Sequence, residues 1–411
     1  MKYEEYKDSG VAWIGEIPSH WEMVKLKYNF TIYAGATPKT EISDLWNGDI
    51  IWITPADYKT TDKYIMCGER TITKKGYDSC NTQIVPRDSL IFSKRAPIGT
   101  VAISGIELCT NQGCLSCVPK GVSTTFFYYA TSVYSEIFDL LGSGATFKEI
   151  SASDFSNVKL ATPPLDEQQA IVNYLDEKCG KINNAIDVQK KKIDLLNELK
   201  QTIITNAVTK GLNPNAPMKD SGVEWIGEIP EHWKIKRTRF LCNIQTGDKD
   251  TVNREDDGLY PFYVRSPKVE RINTYSFDGE AVLMAGDGVG AGKVFHYANG
   301  KFDYHQRVYN LHNFKDVSGL FFYYYILNKF RYIIEEGAAK NTVDSVRLNM
   351  IQDFWMTIPP VSEQQNIVKY IDGEISKIDS QIAKANQRIE LLNELKQSII
   401  TEAVTGKIKV C

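Results

Sequence analysis

The sequence predicts an α+β protein: two α/β modules separated by two long helices that pair as an antiparallel coiled coil, with a pseudo-twofold internal repeat. Three observations predict it. A fourteen-residue segment occurs twice, two heptad-patterned stretches each follow a Pro-Pro pair, and mixed strand-like and aromatic helical runs fill the intervals.

The repeat comes first. Asp-Ser-Gly-Val-Ala-Trp-Ile-Gly-Glu-Ile-Pro-Ser-His-Trp at 8–21 returns at 220–233, offset 212, with only Ala12/Glu224 and Ser19/Glu231 different. Pro163-Pro164-Leu165 with Glu167-Gln168-Gln169 returns as Pro359-Pro360-Val361 with Glu363-Gln364-Gln365, offset 196. Leu-Leu-Asn-Glu-Leu-Lys-Gln at 195–201 recurs letter for letter at 391–397. Fainter echoes pair 126–129 with 321–324, Gly144-Ala145 with Gly337-Ala338, and Gly99-x-Val101 with Gly292-x-Val294 at offset 193. The offset therefore falls from 212 to 193 between Trp21 and Gly99, where the first unit carries extra residues. A shared frame with different filling suits two modules doing one task on different targets.

Beyond the proline pairs, Asp166 with Gln169 and Ser362 with Gln365 have capping-box spacing. In the first heptad run the a positions are Val172, Cys179, Ile186, Ile193, Lys200 and Ala207, and the d positions Leu175, Ile182, Gln189, Leu196 and Ile203. The second run gives Val368, Ile375, Ile382, Ile389, Lys396 and Ala403, with Ile371, Ile378, Ala385, Leu392 and Ile399. Each run predicts a helix of about 40 residues, ~60 Å long, whose stripe needs a partner to stay dry. Antiparallel pairing would place the two modules at opposite ends. Lys200 and Lys396 at a positions would favour one register or snorkel.

Residues 22–160 and 234–356 read as mixed α/β. The runs at 50–53, 89–92 and 281–284 are strand-like; the aromatic runs at 126–129 and 321–325 read as buried helix. Turn formers at 211–217 mark a linker between the halves.

Composition narrows the function. The 411 residues suffice for two or three domains, and the net charge is −3. Residues 22–159 hold fourteen basic and fourteen acidic side chains, and 234–355 seventeen and fifteen. Any nucleic-acid affinity must therefore come from clustered cations or a partner, because phosphate neutralisation normally supplies much of it. No apolar run approaches the ~20 residues of a membrane span, and the charged N-terminus lacks a leader's apolar core, so a cytoplasmic location is expected. Cys114 and Cys117 form a C-x-x-C with no second copy. In a strand, positions three apart face opposite sides, which predicts buried free thiols and no metal.

The doubled segments at 8–21 and 220–233, the Pro-Pro-x-x-Glu-Gln-Gln helix starts and the Leu-x-Glu-Leu-Lys-Gln stretches resemble type I restriction–modification specificity subunits, over essentially the whole chain. The resemblance implies target recognition domains at 1–162 and 212–358, carrying the repeat segments 8–21 and 220–233, and spacer helices at 163–211 and 359–411. It implies a non-catalytic subunit whose two domains each read half of a split, asymmetric site on double-stranded DNA. It further implies partners: two methyltransferase subunits and restriction/motor subunits. S-adenosylmethionine, ATP and Mg are expected on those partners, none in this chain, with adenine the methylated base flipped into a partner's pocket. The spacer coiled coil would use Val172, Leu175, Ile182, Ile186, Ile193, Leu196 and Ile203 against Val368, Ile371, Ile375, Ile378, Ile382, Ile389, Leu392 and Ile399.

Base readers must be polar groups on loops, with Arg to guanine and Asn or Gln to adenine as preferred pairings. The candidates are Lys94, Arg95, Asn111 and Gln112 in the first module, and Arg265, Lys268, Lys293, Gln306 and Arg307 in the second. Lys39, Lys148 and Lys340 are candidate phosphate contacts. The run 286–293 mimics a P-loop but has Asp287 where the motif needs its first glycine and Val294 where it needs Ser or Thr; it reads as a flexible turn. Neither proline pair carries the Asn/Asp-Pro-Pro-aromatic tetrad of amino-methyltransferases. His20 and His232 read as structural, and His296, His305 and His312 form no ligand spacing. The rival readings are a coiled-coil protein–protein scaffold without direct DNA contact, and a self-sufficient enzyme.

Overall fold

The two proline pairs organise the chain, because each launches a helix that no later proline interrupts. The computed structural model describes residues 2–58, 63–95, 97–144, 148–338 and 345–410. It divides into two units, Met1–Val188 with Gln387–Cys411, and Gln189–Asn386. The first long helix, Leu165–Lys210, and the second, Val361–Val404, each contribute to both units.

The helices start two residues earlier than the capping-box spacing predicts, at Leu165 and Val361. Pro164 O accepts Gln168 N–H at 2.9 Å, and Pro360 O accepts Glu363 N–H at 2.9 Å. Asp166 and Ser362 therefore lie inside the first turn, not at the cap. There the charges of Asp166 and Glu167 still oppose the positive end of the helix dipole.

In the first unit, Val172, Leu175, Cys179, Ile182 and Ile186 are buried, and Ile389, Leu392 and Ile399 are half-buried. Ile400, Ala403 and Val404 join the same core as Val172, Leu175 and Cys179. In the second unit Leu196, Ile371, Ile378 and Ala385 are buried; Ile193, Ile203, Val368, Ile375 and Ile382 are half-buried. The pairing is antiparallel and its register is marked by the a-position lysines. Lys396 Nζ donates to Asn183 in the first unit at 2.9 Å, and Lys200 Nζ to Asp379 in the second at 2.8 Å. Stepping 17 residues forward from 183 to 200 matches 17 back from 396 to 379. Both lysines thus find a polar partner instead of snorkelling into water.

The first unit holds a five-stranded sheet in the order Phe30–Ala34, Cys114–Pro119, Leu90–Ser93, Val101–Ser104, Tyr64–Ile65, antiparallel except at the last pair. The second unit holds six strands in the order Asn243–Thr246, Val308–His312, Phe277–Ala285, Phe295–Tyr304, Tyr260–Tyr263, Glu270–Ile272. The first four strands correspond in the two sheets. The predicted run 50–53 falls in Trp46–Ile53, the middle strand of an additional three-stranded sheet in the first unit. The aromatic runs form helices Thr124–Ser132 and Gly319–Lys329, with Phe126, Phe127, Phe321 and Phe322 buried and Ser123 and Ser318 as N-caps. Cys114 and Cys117 lie on one strand but in different hydrophobic clusters, Cys114 in one and Cys117 in the other. Burial pushes the Cys114 thiol up to about 12 and raises Cys117 further, so neither is a nucleophile at neutral pH.

The repeated fourteen-residue segments close each unit. Each makes a hairpin turned by glycines in the left-handed region, Gly15 (φ 67°) and Gly227 (φ 73°). Each then inserts its tryptophan, Trp21 or Trp233, fully buried. The indole N–H of Trp21 donates to Glu167 at 3.0 Å, and that of Trp233 to Glu363 at 3.1 Å. His20 and His232 meet the same two carboxylates at 2.9 and 2.8 Å. The next glutamine is the second latch. Gln168 Nε2 donates to Pro163 O while its Oε1 accepts from the N–H of the cap residue Ser123, and Gln364 does the same with Pro359 and Ser318. These glutamines are buried, so their hydrogen bonds are made without competition from water. Repeat segment, helix start and aromatic helix are thereby tied into one frame in each unit.

Candidate nucleic-acid interface

Loop residues in each unit gather at one end of its sheet, where strands stop and backbone approaches backbone. In the first unit Lys94 N–H donates to Gly113 O at 2.8 Å and Ile150 N–H to Lys94 O at 3.1 Å. In the second, Gly286 N–H donates to Arg307 O at 2.8 Å and Val346 N–H to Gly286 O at 2.7 Å. The bridges Arg95–Glu149 and Asp287–Ser345 follow in the same places. Lys94 thus corresponds to Gly286, Arg95 to Asp287, Gly113 to Arg307, and Gln112 to Gln306. Gly35 and Gly247 also correspond, 212 apart: a Cβ on either would lie 2.1 or 2.0 Å from a carbonyl of the facing strand end. The first unit's extra residues accordingly fall between 35 and 94.

The second unit's end is an interlocked cluster. Arg265 Nη1 donates to Asp287 Oδ1 at 2.9 Å, and Arg307 Nε stands 3.6 Å from Asp287 Oδ2. Gln306 Nε2 donates to Asp250 Oδ2 at 2.9 Å, while its backbone N–H donates to Lys249 O. His305 is buried beneath them, and its Nδ1 accepts the Arg307 backbone N–H at 2.9 Å. That bond assigns the ring proton to Nε2. Burial, reinforced by Arg265, lowers the His305 pKa and keeps the ring neutral. Lys268 lies outside the cluster beside Glu270, and Lys293 is exposed at the end of the glycine-rich turn.

The first unit fills the same frame differently. Lys94 is mostly buried with Nζ 2.5 Å from Glu149, and Asn111 is buried with Oδ1 accepting Gly113 N–H at 2.8 Å. Arg95 is half-buried, its Nε 2.9 Å from where a Cβ on Gly113 would stand. Gln112 is exposed and accepts a hydrogen bond from Thr37 Oγ1, which leaves its amide N–H groups free to donate. Lys39 is exposed, and its carbonyl takes the Trp46 indole N–H. Lys148 pairs with Asp139 at 2.6 Å, and Lys340 lies outside the described residues.

The structure therefore gathers Arg265, Gln306 and Arg307 at one sheet end, and Lys94, Arg95, Asn111 and Gln112 at the other unit's equivalent end. It adds Asp287, His305, Asp250 and Thr37, which sequence reasoning missed. The one signal for Asp287 was its place inside a glycine-rich run; His305 had none.

Two modules on one duplicated frame, each closed by a long helix with its Trp-Glu latch, define a duplicated specificity domain. A family model described as type I restriction modification DNA specificity domain matches residues 18–200 and 230–393, and the chain belongs to that family. It is 27% identical over 435 aligned residues to the type I restriction enzyme MjaIX specificity subunit of Methanocaldococcus jannaschii, across 99% of this chain and 97% of that one. It is 30% identical over 182 residues to the EcoDI specificity subunit of Escherichia coli, 44% of this chain and 40% of the relative. Among solved structures, a chain from a study of complex assembly and conformational transition of the type I R-M system superposes with a TM-score of 0.72 at 16% identity, covering 95% and 99% of the two chains. The HsdS subunit of Thermoanaerobacter tengcongensis matches with a TM-score of 0.50 at 15% identity, covering 99% and 100%. These two likenesses concern the fold. No helix among the described residues is long and apolar enough to cross a membrane.

Proposed function

We propose that this chain is the DNA-reading, non-catalytic subunit of a type I restriction–modification complex, with one half-site read by each module and the paired helices setting the gap. The observation that carries this is the pair of equivalent sheet ends, identical in backbone plan and different in side chains. A common plan preserves how a module meets the duplex, and different side chains select different bases. The recognition domains are 1–162 and 212–358, and the spacer helices 163–211 and 359–411. Within them, Arg95, Gln112, Arg265, Gln306 and Arg307 are the base-reading candidates best supported by exposure and free donors. Lys39, Lys268 and Lys293 suit phosphate contacts, as does Lys148 once released from Asp139. Lys94 and Asn111 are better suited to holding the loop that presents their neighbours.

Methyltransferase and restriction subunits are the assembled complex's enzymes, binding S-adenosylmethionine, ATP and Mg. Two methyltransferase subunits fit a feature of the helices. Leu195 and Leu199, and their equivalents Leu391 and Leu395, are 48–65% exposed one turn apart within the letter-for-letter repeat. The same apolar pair presented twice suits the same partner bound twice. A scaffold with no DNA contact is favoured only by the near-neutral charge, which the pair of equivalent but differently filled sheet ends outweighs.

The test is module exchange. The chain with residues 22–160 replaced by those of a relative, assembled with its methyltransferase, is read out by methylome sequencing. One half-site should change and the other persist. Change in both halves, or methylation without a defined site, overturns the reading.

A further inference from the structure

We propose that Arg265 and Arg307, held on either side of Asp287, form a paired-guanidinium reader for a guanine in the half-site of the second module. This rests on the DNA-reading function above and names residues and a base for it.

The glycine-rich turn is what builds the pair. A Cβ on Gly290 would stand 2.4 Å from the Arg265 carbonyl, and one on Gly286 would stand 3.0 Å from the Arg307 carbonyl. Gly288 adopts φ 69°, in the left-handed region. Only glycine at 286 and 290 lets the turn draw Asp287 in between the two strand ends that carry the arginines. The run that mimics a nucleotide-binding loop thus serves to seat a carboxylate.

Asp287 engages one nitrogen of each guanidinium, Nη1 of Arg265 at 2.9 Å and Nε of Arg307 at 3.6 Å. Each fork keeps further N–H donors, and the two side chains are 43% and 63% exposed. Beneath them His305, 2% exposed, directs an Nε2 without a hydrogen-bond partner among the described residues, with the nearest carboxylate, Asp250, 3.8 Å away. The donors the cluster offers outward are therefore those of the two exposed guanidinium groups.

Guanine presents adjacent acceptors, O6 and N7, in the major groove, the edge that an arginine fork matches. A phosphate also accepts, but Asp287 and Asp250 put two carboxylates inside the cluster. They cancel the charge of the two arginines, so the cluster holds no net attraction for an anion, and its directed donors suit a neutral base edge. The carboxylate also draws both forks to one place on the sheet end, with Arg265 hydrogen-bonded to it, a placement that a point-charge contact does not need. The first module lacks this device: Arg95 occupies the place of Asp287, and Gly113 that of Arg307.

The test uses the chain assembled with its methyltransferase, and the probe is a library of DNA sites scored position by position. Arg265→Lys and Arg307→Lys keep the charge but lose the fork. Each should lower the preference for guanine at one position of the second module's half-site on the order of tenfold, with the first module's half-site and the salt dependence unchanged. Asp287→Asn should weaken the same position while overall affinity holds, because the arginines lose their orientation. Unchanged preference in both lysine variants overturns the proposal. So does uniform weakening across all sequences, with alanine variants losing about one unit of salt slope, the signature of phosphate contact. A wild-type complex with no defined second half-site would instead defeat the DNA-reading function itself.

Discussion

Glu167 and Glu363 show how much one side chain can organise. Each gathers a buried tryptophan N–H and a histidine from a segment about 146 or 130 residues away in sequence. The two sites differ in water access: the Glu167 side chain is 7% exposed and Glu363 27%. Glu167→Ala leaves the Trp21 indole buried and unsatisfied, which costs about 1–3 kcal/mol. Glu363→Ala should cost less, because water reaches its partners. Urea unfolding of both variants checks the order, and a reversed order would show that the latch works by packing instead. The motif residues were legible as a repeat, but their pairing was not, because helix start and N-terminal segment are far apart in the chain.

At the scale of elements, the second unit's sheet carries three histidines whose pKa values burial lowers: His296, His305 and His312. His305 is faced by Arg265, Arg307, Asp250 and Asp287, and the two carboxylates only partly offset burial and the arginines. A depressed folded pKa means the unfolded chain binds protons first as pH falls. Stability from the neutral rings is therefore complete above about 6.5, the unfolded value, and declines as pH falls below it toward the folded values. Unfolding of the full chain followed by hydrogen exchange should show the strands Phe295–Tyr304 and Val308–His312 losing protection between pH 7.5 and 5.5. Equal protection at both pH values would contradict the sign. The helices were the most legible elements, since a heptad is local information; their starts shifted by two residues because the proline pair, not the capping box, sets the first turn.

For the whole molecule, the antiparallel register matters more than any single contact. Lys200 with Asp379 in one unit and Lys396 with Asn183 in the other occupy equivalent steps of the two repeats, so each unit fixes its own helix register by a lysine at an a position. Seven residues inserted into the first long helix between Asn183 and Lys200 keep the heptad phase and add ~10 Å. The assembled complex should then methylate sites whose gap has lengthened, or lose activity; methylome sequencing reads the gap. Full activity on the original gap would show that the helices do not set it.

The sequence by itself determined the duplicated plan, the two heptad helices, the buried aromatic helices and the opposite facing of Cys114 and Cys117. All of these follow from short-range periodicity or from self-comparison. Tertiary structure alone decided which side chains meet at the sheet ends. Arg265, Asp287 and Arg307 are roughly 20 residues apart and come together only because successive strands end side by side. The equivalence of Arg95 with Asp287 was equally hidden, since it rests on matching backbone hydrogen bonds between facing strands, which leave no trace in residue type.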